Sequence, residues 1–287
     1  MAERLTLMTV HAHPDDEVFS TGGVLAKSAE QGIHTVLVTC TGGEEGEIVD
    51  PTMNQEEVKP RLAEVRKQEL QDAVKVLGIE TLEMLGYRDS GMAGTEANQN
   101  PASFHMADLE EATGRLVRLV RKHRPQVLVS YDENGSYGHP DHIKAHQITG
   151  LAFDAAGDPA RFPEAGPAWQ PQKLYICGRS RRQADRWRAM AEELNLDIPW
   201  LRAPQDVNEP PRGIPTESVT TIVEVADYAE RKREALRVHK TQISPEFFIM
   251  SLPPEVIRRA FSEEEFIRAR SLVDAPTPED DLFAGLR

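Results

Sequence analysis

Two β-type runs, Leu5–Val10 and Thr35–Cys40, lie either side of a stretch with helical spacing, Thr21–Gln31. Ser20 or Thr21 offers a cap for that helix and Gly32 a stop. A strand, a helix and a strand within about 40 residues form a βαβ unit, and such a unit requires a parallel sheet. The alternation continues downstream. Residues 60–77 carry Leu62, Val65, Leu70, Val74 and Leu77 at core-like spacing and end at Gly78. Strands follow at Thr81–Leu85, Gln126–Tyr131 and Leu174–Cys177. Helices are expected at Asp108–His123, ended by Pro125, and at Ile143–Ala155. The fold class is therefore α/β: a Rossmann-like, mostly parallel sheet flanked by helices, with a smaller C-terminal lobe.

Residues 1–178 read as the Rossmann-like core, and 179–287 as the lobe that completes the same domain. In the lobe, Val219–Val225 is strand-like, Tyr228–His239 helix-like and Phe247–Leu252 apolar. Ala156–Pro171 reads as a surface loop and Pro276–Asp281 as a loose tail.

The charge balance narrows the partners. Among 287 residues, 33 are Lys or Arg and 47 are Asp or Glu, a net charge of −14. That argues against nucleic acid and against an anionic membrane surface. Cys40 and Cys177 are the only cysteines and have no paired spacing, so neither a disulfide scaffold nor a thiolate metal site is expected. The segment Met1–Arg4 runs straight into a strand, with no signal-peptide pattern, and no run reaches the roughly 18 apolar residues of a membrane span. A cytoplasmic protein is expected, and a homo-oligomer is compatible with all of this.

Two runs carry the chemistry. His11-Ala12-His13-Pro14-Asp15-Asp16-Glu17 follows the first strand, and Tyr137-Gly138-His139-Pro140-Asp141-His142 comes after the Gln126–Tyr131 strand. Loops after parallel strands gather at one sheet end, where α/β enzymes place their sites. His13 and Asp16 lie three apart across a proline, as do His139 and His142. Proline fixes φ and pre-shapes the loop around potential ligands. A catalytic zinc ion takes three His, Asp or Glu ligands and leaves one position open. Four such groups exceed that number, so the surplus serves the reaction. Asp15 is a candidate base, and one of His139 and His142 a candidate electrostatic partner. A lone His-x-x-Asp or His-x-x-His is more often a surface accident. Two of them, each proline-locked and each following a strand, point to metal-dependent hydrolysis.

His13-Pro14-Asp15-Asp16-Glu17 with Gly22-Gly23, and His139-Pro140-Asp141-His142, resemble the paired signatures of the LmbE-like, PIG-L-type zinc-dependent N-acetylglucosaminyl deacetylases. The resemblance implies that His13, Asp16 and His142 hold Zn2+, with Fe2+ or another divalent ion an alternative. It implies Asp15 as general base, His139 as the cationic partner that protonates the leaving amine, Asp141 as the carboxylate orienting His139, and Tyr137 as oxyanion donor. The substrate implied is a GlcNAc-containing small molecule such as N-acetylglucosaminyl-inositol.

Through Thr39–Glu47, Arg88–Thr95 and Tyr131–Gly135 the chain looks closest, within the family, to the mycothiol-type deacetylase and amidase branch, in which Arg66 and Asp89 match positions that grip sugar hydroxyls and Glu47 lies in a matching loop near the sugar. On bare sequence Arg66 is equally a solvated helix charge and Asp89 a turn residue. His239-Lys240-Thr241-Gln242 resembles a family element and is equally a basic helix end. His11 and Glu17 read as packing around the ligands. Two alternatives accompany the deacetylase reading. One is an amidase cleaving S-conjugates of a cysteinyl-glucosamine thiol. Its relatives tend to carry a lysine where this chain has Val18-Phe19-Ser20, which tilts the reading towards deacetylation. The other is a non-catalytic sugar-binding Rossmann-like module, which Gly42-Gly43 supports poorly because no Gly-x-Gly-x-x-Gly is completed.

Overall fold

The computed structural model describes residues 4–198, 201 and 213–287. Its centre is a seven-stranded sheet in the order β3-β2-β1-β4-β5-β7-β6. The strands are β1 (Thr6–His11), β2 (His34–Thr41), β3 (Thr81–Tyr87), β4 (Val127–Ser130), β5 (Lys173–Cys177), β6 (Thr221–Glu224) and β7 (Glu263–Ser271). The first five are parallel, while β7 runs antiparallel to both β5 and β6. The six residues of β1 are all buried, as expected of a central strand covered on both faces. Two apolar clusters fill the two sides of the sheet. One includes Leu7, Leu37 and Tyr175, the other Met8, Val36 and Leu128.

The order reverses between β1 and β4, the position at which open α/β sheets build their ligand crevices. Both histidine runs emerge there. Helix α1 (Asp16–Glu30) starts inside the first run, four or five residues before the expected cap at Ser20 or Thr21. Side chains from distant segments bind its backbone near that expected start. Glu264 accepts the N–H groups of Gly23 and Val24, each at 2.8 Å, and Lys232 donates to the Phe19 carbonyl at 3.2 Å. A Cβ on Gly23 would collide with Val225, which is why only glycine fits this contact.

Helix α2 (Leu62–Leu77) ends at Gly78 in the left-handed conformation, as the sequence predicts. Helix α3 (Leu109–His123) is capped by the Asp108 side chain. Helix α4 (Pro140–Ala155) begins three residues before the expected Ile143, so that Pro140, Asp141 and His142 form its first turn. Proline at the first helical position costs no hydrogen bond.

After residue 178 the chain forms α5 (Arg181–Leu194), adds β6 at the sheet edge, forms α6 (Ala229–Val238) and then inserts β7 between β5 and β6. Neither α5 nor β7 is foreseen in the sequence. The Pro276–Asp281 segment is not a loose tail. Glu279 is buried and accepts from Lys173 Nζ (2.6 Å), Tyr175 OH (2.7 Å), Thr221 Oγ1 (2.8 Å) and Arg268 Nη1 (2.8 Å). A carboxylate with four donors pins the segment to the sheet.

Candidate metal centre and active site

His13 and Asp16 arrive from the loop after β1, and His142 from the first turn of α4. Three of their atoms form an equilateral triangle. His13 Nδ1 to Asp16 Oδ2, His142 Nε2 to Asp16 Oδ2, and His142 Nε2 to His13 Nδ1 are each 3.3 Å. An ion bound tetrahedrally at about 2.0–2.1 Å has ligands roughly 3.3 Å apart. The donor set therefore fits a divalent ion in kind and in spacing. His139 lies close enough for its ring nitrogen to fall within 4.8 Å of those of His13 and His142, a wider grouping than the triangle.

The other nitrogen of His13 is also engaged. Nε2 lies 3.2 Å from Asp141 Oδ2 and 3.5 Å from Asp89 Oδ1. A histidine that ligates metal through one nitrogen commonly donates the other N–H to a carboxylate, which fixes tautomer and orientation. Here the structure corrects the expectation that the Asp141 carboxylate orients His139. Ser90 N (2.9 Å) and Ser90 Oγ hold that carboxylate against His13. Only the Asp141 backbone N–H reaches His139, donating to Nδ1 at 3.2 Å. His139 is thus the N-cap of α4, and Nε2 is left to carry its proton.

Asp15 stands beside the triangle with φ +120°. A non-glycine residue there stores about 1–3 kcal/mol and persists only when its surroundings impose it. Arg66 Nη2 lies 3.4 Å from Asp15 Oδ1 and donates to the Pro14 carbonyl at 2.6 Å. Tyr137, an exposed residue of the turn Gly135–Gly138, points its hydroxyl at His142 Nε2, 3.4 Å away.

The electrostatics follow from burial and from opposite charges at short range. Burial disfavours the His13 imidazolium, yet Asp141, Asp16 and Asp89 outweigh it and raise its pKa well above the usual histidine value. Burial works against the Asp16 carboxylate as well, but His142 and His13 pull its pKa well below the usual range. Asp15 is pushed up to about 6, chiefly by burial, with Arg66 opposing. His139 is brought down to about 4 by burial and then by the charge on His13. Its imidazolium is consequently a stronger acid than that of a free histidine. Asp89 is lowered because His13 and the Gly91 N–H outweigh its desolvation.

A family model described as PIG-L: GlcNAc-PI de-N-acetylase matches residues 8–153, which include both histidine runs. A protein of Catenulispora acidiphila named 1D-myo-inositol 2-acetamido-2-deoxy-alpha-D-glucopyranoside deacetylase 1 is 42% identical, over 98% of this chain and 89% of its own length. The chain belongs to the PIG-L family. Another relative, from Streptomyces coelicolor, is named mycothiol S-conjugate amidase. It is 39% identical over 100% of this chain and 99% of its own. Among solved structures, the N,N'-diacetylchitobiose deacetylase of Pyrococcus horikoshii superposes with a TM-score of 0.60 at 19% identity, covering 91% of this chain and 82% of that one. At that identity the likeness shows the fold alone.

The other residues that the PIG-L resemblance singles out surround a cavity of about 550 Å³ above the triangle, lined by Asp15, Glu47, Arg66, Asp89 and His139 among others. Arg66 is 3% exposed, so it is not a solvated helix charge. It donates to the carbonyls of Pro14 and Gly43, and a Cβ on Gly43, itself at φ +70°, would overlap the guanidinium. Asp89 makes the turn expected of it, accepting Gly91 N–H at 2.8 Å, and faces His13 as well. Glu47 is exposed at the rim.

Sequence reasoning passed over Tyr131 and Ser90. Tyr131 donates to Asp16 Oδ2 at 2.9 Å and accepts the Ala12 N–H at 2.8 Å. Its position at the end of β4, level with the first histidine run, was the available signal. His11 packs as expected, with Nε2 on Thr21 Oγ1 at 2.8 Å. Among the described residues of this PIG-L chain, no helix is long and apolar enough to cross a membrane.

Proposed function

We propose that this protein is a metal-dependent N-deacetylase acting on a GlcNAc-containing small molecule, such as N-acetylglucosaminyl-inositol, with Zn2+ or Fe2+ held by His13, Asp16 and His142. The observation that carries the reading is the 3.3 Å donor triangle with Asp15 at its edge, under a cavity lined by polar groups suited to sugar hydroxyls. A divalent ion in that position supplies Lewis acidity to the amide carbonyl and acidifies a water.

The chain's own residues do the rest. Asp141 accepts the His13 Nε2–H, which leaves Nδ1 unprotonated as the atom that would hold the ion. Arg66, Asp89 and Glu47 orient the sugar. Asp15 takes the proton of the attacking water, a role suited to a carboxylate whose pKa lies near 6. Tyr137 donates to the developing oxyanion from the turn Gly135–Gly138. His139, kept neutral by a pKa brought down to about 4, donates a hydrogen bond from Nε2 instead of acting as the expected cationic acid, and Asp15 passes the water's proton to the nitrogen as the C–N bond breaks. The products are acetate and a free amine. The test is acetate release from N-acetylglucosaminyl-inositol and a small panel of GlcNAc glycosides, with zinc or iron supplied in defined amounts. Stoichiometric metal without acetate from any of them refutes the proposal.

A second reading, hydrolysis of S-conjugate amides, is favoured by one observation. Beyond Tyr137 lies another cavity, of about 710 Å³, which shares Asp16, Phe19 and Tyr137 with the first and is lined further by Trp187, Phe247 and Phe261. Acetyl needs no such room, whereas a large apolar acyl group does. Rates measured side by side on the acetylated sugar and on a cysteinyl-glucosamine S-conjugate separate the two readings.

A further inference from the structure

The peptide unit between Pro14 and Asp15 is gripped at both edges. Its carbonyl accepts from Arg66 Nη2 at 2.6 Å, and its N–H donates to Glu17 Oε2 at 2.9 Å. The orientation of this plane sets the φ of Asp15, and hence where the Asp15 carboxylate points. Glu17 is itself held. Its second oxygen, Oε1, lies 2.8 Å from His239 Nε2, and neither side chain has exposed surface.

His239 follows α6 directly, and the residues after it are docked as firmly. Thr241 donates from N (2.9 Å) and Oγ1 (2.6 Å) to the buried Glu69 of α2, and Gln242 donates to the Glu47 carbonyl at 2.8 Å. Neither Glu17 nor His239 lines the cavity over the triangle. A buried acid–base pair away from the substrate, bonded to the backbone of a strained residue at the site, has one evident use.

We propose that Glu17 and His239 are positioning residues. Together with Arg66 they fix the Pro14–Asp15 peptide, and so keep the Asp15 carboxylate aimed at the reacting water. The idea rests on the reading of Asp15 as the base. The pair acts on the geometry of that base and not on the metal ligands, whose donor atoms it does not touch. A displacement of about 1 Å at a reacting group costs on the order of 10²-fold in rate, which sets the expected size of the effect.

The experiment compares Glu17→Ala, Glu17→Leu/His239→Leu and His239→Gln in the metal-loaded protein, with hydrogen exchange at the Asp15 amide followed in the metal-free protein. Glu17→Ala should lower kcat about 10²-fold, with KM changed less than about threefold and metal content unchanged. The Asp15 amide should lose its protection. His239→Gln still offers an N–H to Glu17 and should stay within about fivefold of the parent kcat. The double leucine variant removes both buried charges together, so it keeps the test open should the single alanine misfold, and it should show the same loss of kcat.

Retention of kcat within about threefold in Glu17→Ala or in the double variant overturns the proposal, as does loss of metal along with activity. Asp15→Asn, and Asp15→Asn combined with Glu17→Ala, separate the two ideas. If Asp15→Asn alone keeps the parent rate, the base assignment has failed, and the exchange data still report on the pin. If the combined variant is a further tenfold or so slower than Asp15→Asn, Glu17 acts other than through Asp15, and the proposal fails.

Discussion

Replacing Tyr131 by phenylalanine removes one oxygen and should weaken both the fold and the metal site. The ring is 2% exposed, and its hydroxyl serves three groups: the Ala12 N–H, His11 Nδ1 at 3.2 Å, and Asp16 Oδ2. Ala12 is fully buried, so its N–H gains no water in exchange. An orphaned buried donor costs about 1–3 kcal/mol, and the lost bond to a carboxylate adds about 1.5 kcal/mol. Asp16 retains the His13 N–H at 2.8 Å, which limits the second contribution.

The metal-free variant should therefore lose about 2–4 kcal/mol. For a chain of this size, with an unfolding entropy near 0.6 kcal/mol per degree, that is a fall of roughly 3–7 °C in Tm. Separately, Asp16 loses the donor that orients it as a ligand, and such a loss weakens metal binding about 10–100-fold. The assays are urea denaturation of the metal-free protein and zinc competition against a chelator of known affinity. Tyr137→Phe is the control. Its ring is 59% exposed, so stability should change by less than about 0.5 kcal/mol while turnover falls. If Tyr131→Phe binds zinc within about twofold of the parent and is destabilised by less than about 0.5 kcal/mol, the assignment of Tyr131 as the support of Asp16 is wrong.

Asp15→Ala should keep one metal ion per chain and lose turnover, and His142→Ala should lose the ion itself. Metal analysis with the opposite pattern would reverse the roles. Glu279→Leu strands the fully buried Lys173 ammonium and should cost about 3–5 kcal/mol, of which Lys173→Met in the same chain recovers about 2 kcal/mol, both read by urea denaturation. His239 faces Glu17, Asp15 and Glu69; burial opposes its imidazolium, but Glu17 prevails and its folded pKa is raised. The stability it contributes is therefore complete below about pH 6.5 and is lost as pH rises through the folded value. The gap between the metal-free parent and His239→Gln should shrink as pH rises above about 6.5, and a gap that widens contradicts the assignment.

The parallel half of the fold was legible because each strand and helix there carries its own local period. Leu5–Val10, residues 60–77 and Asp108–His123 all appear with small shifts at their ends. The two histidine runs were legible for the same reason, since each is contiguous and follows a strand. Strand β7 was hidden by its charges. Three successive glutamates, Glu263, Glu264 and Glu265, lack the alternation of a half-buried strand, yet they meet Arg186, Lys232 and Arg182, partners that no local pattern reveals. Arg66 and Asp141 show the same limit within the site. Their residue types were apparent, but the atoms they hold, the Pro14 carbonyl and His13 Nε2, depend on how distant segments pack.

The bond between Glu17 and His239 spans 222 residues. At 5–20 residues per second, the ribosome releases the histidine roughly 10–45 s after the glutamate. Through that interval the nascent chain carries both histidine runs, but its first loop has a carboxylate with nothing opposite it. On the positioning role proposed for Glu17 and His239, Asp15 settles into its strained orientation once α6 and the segment behind it have docked. Catalytic competence would then be acquired late in synthesis, long after the residues proposed to hold the metal have been made.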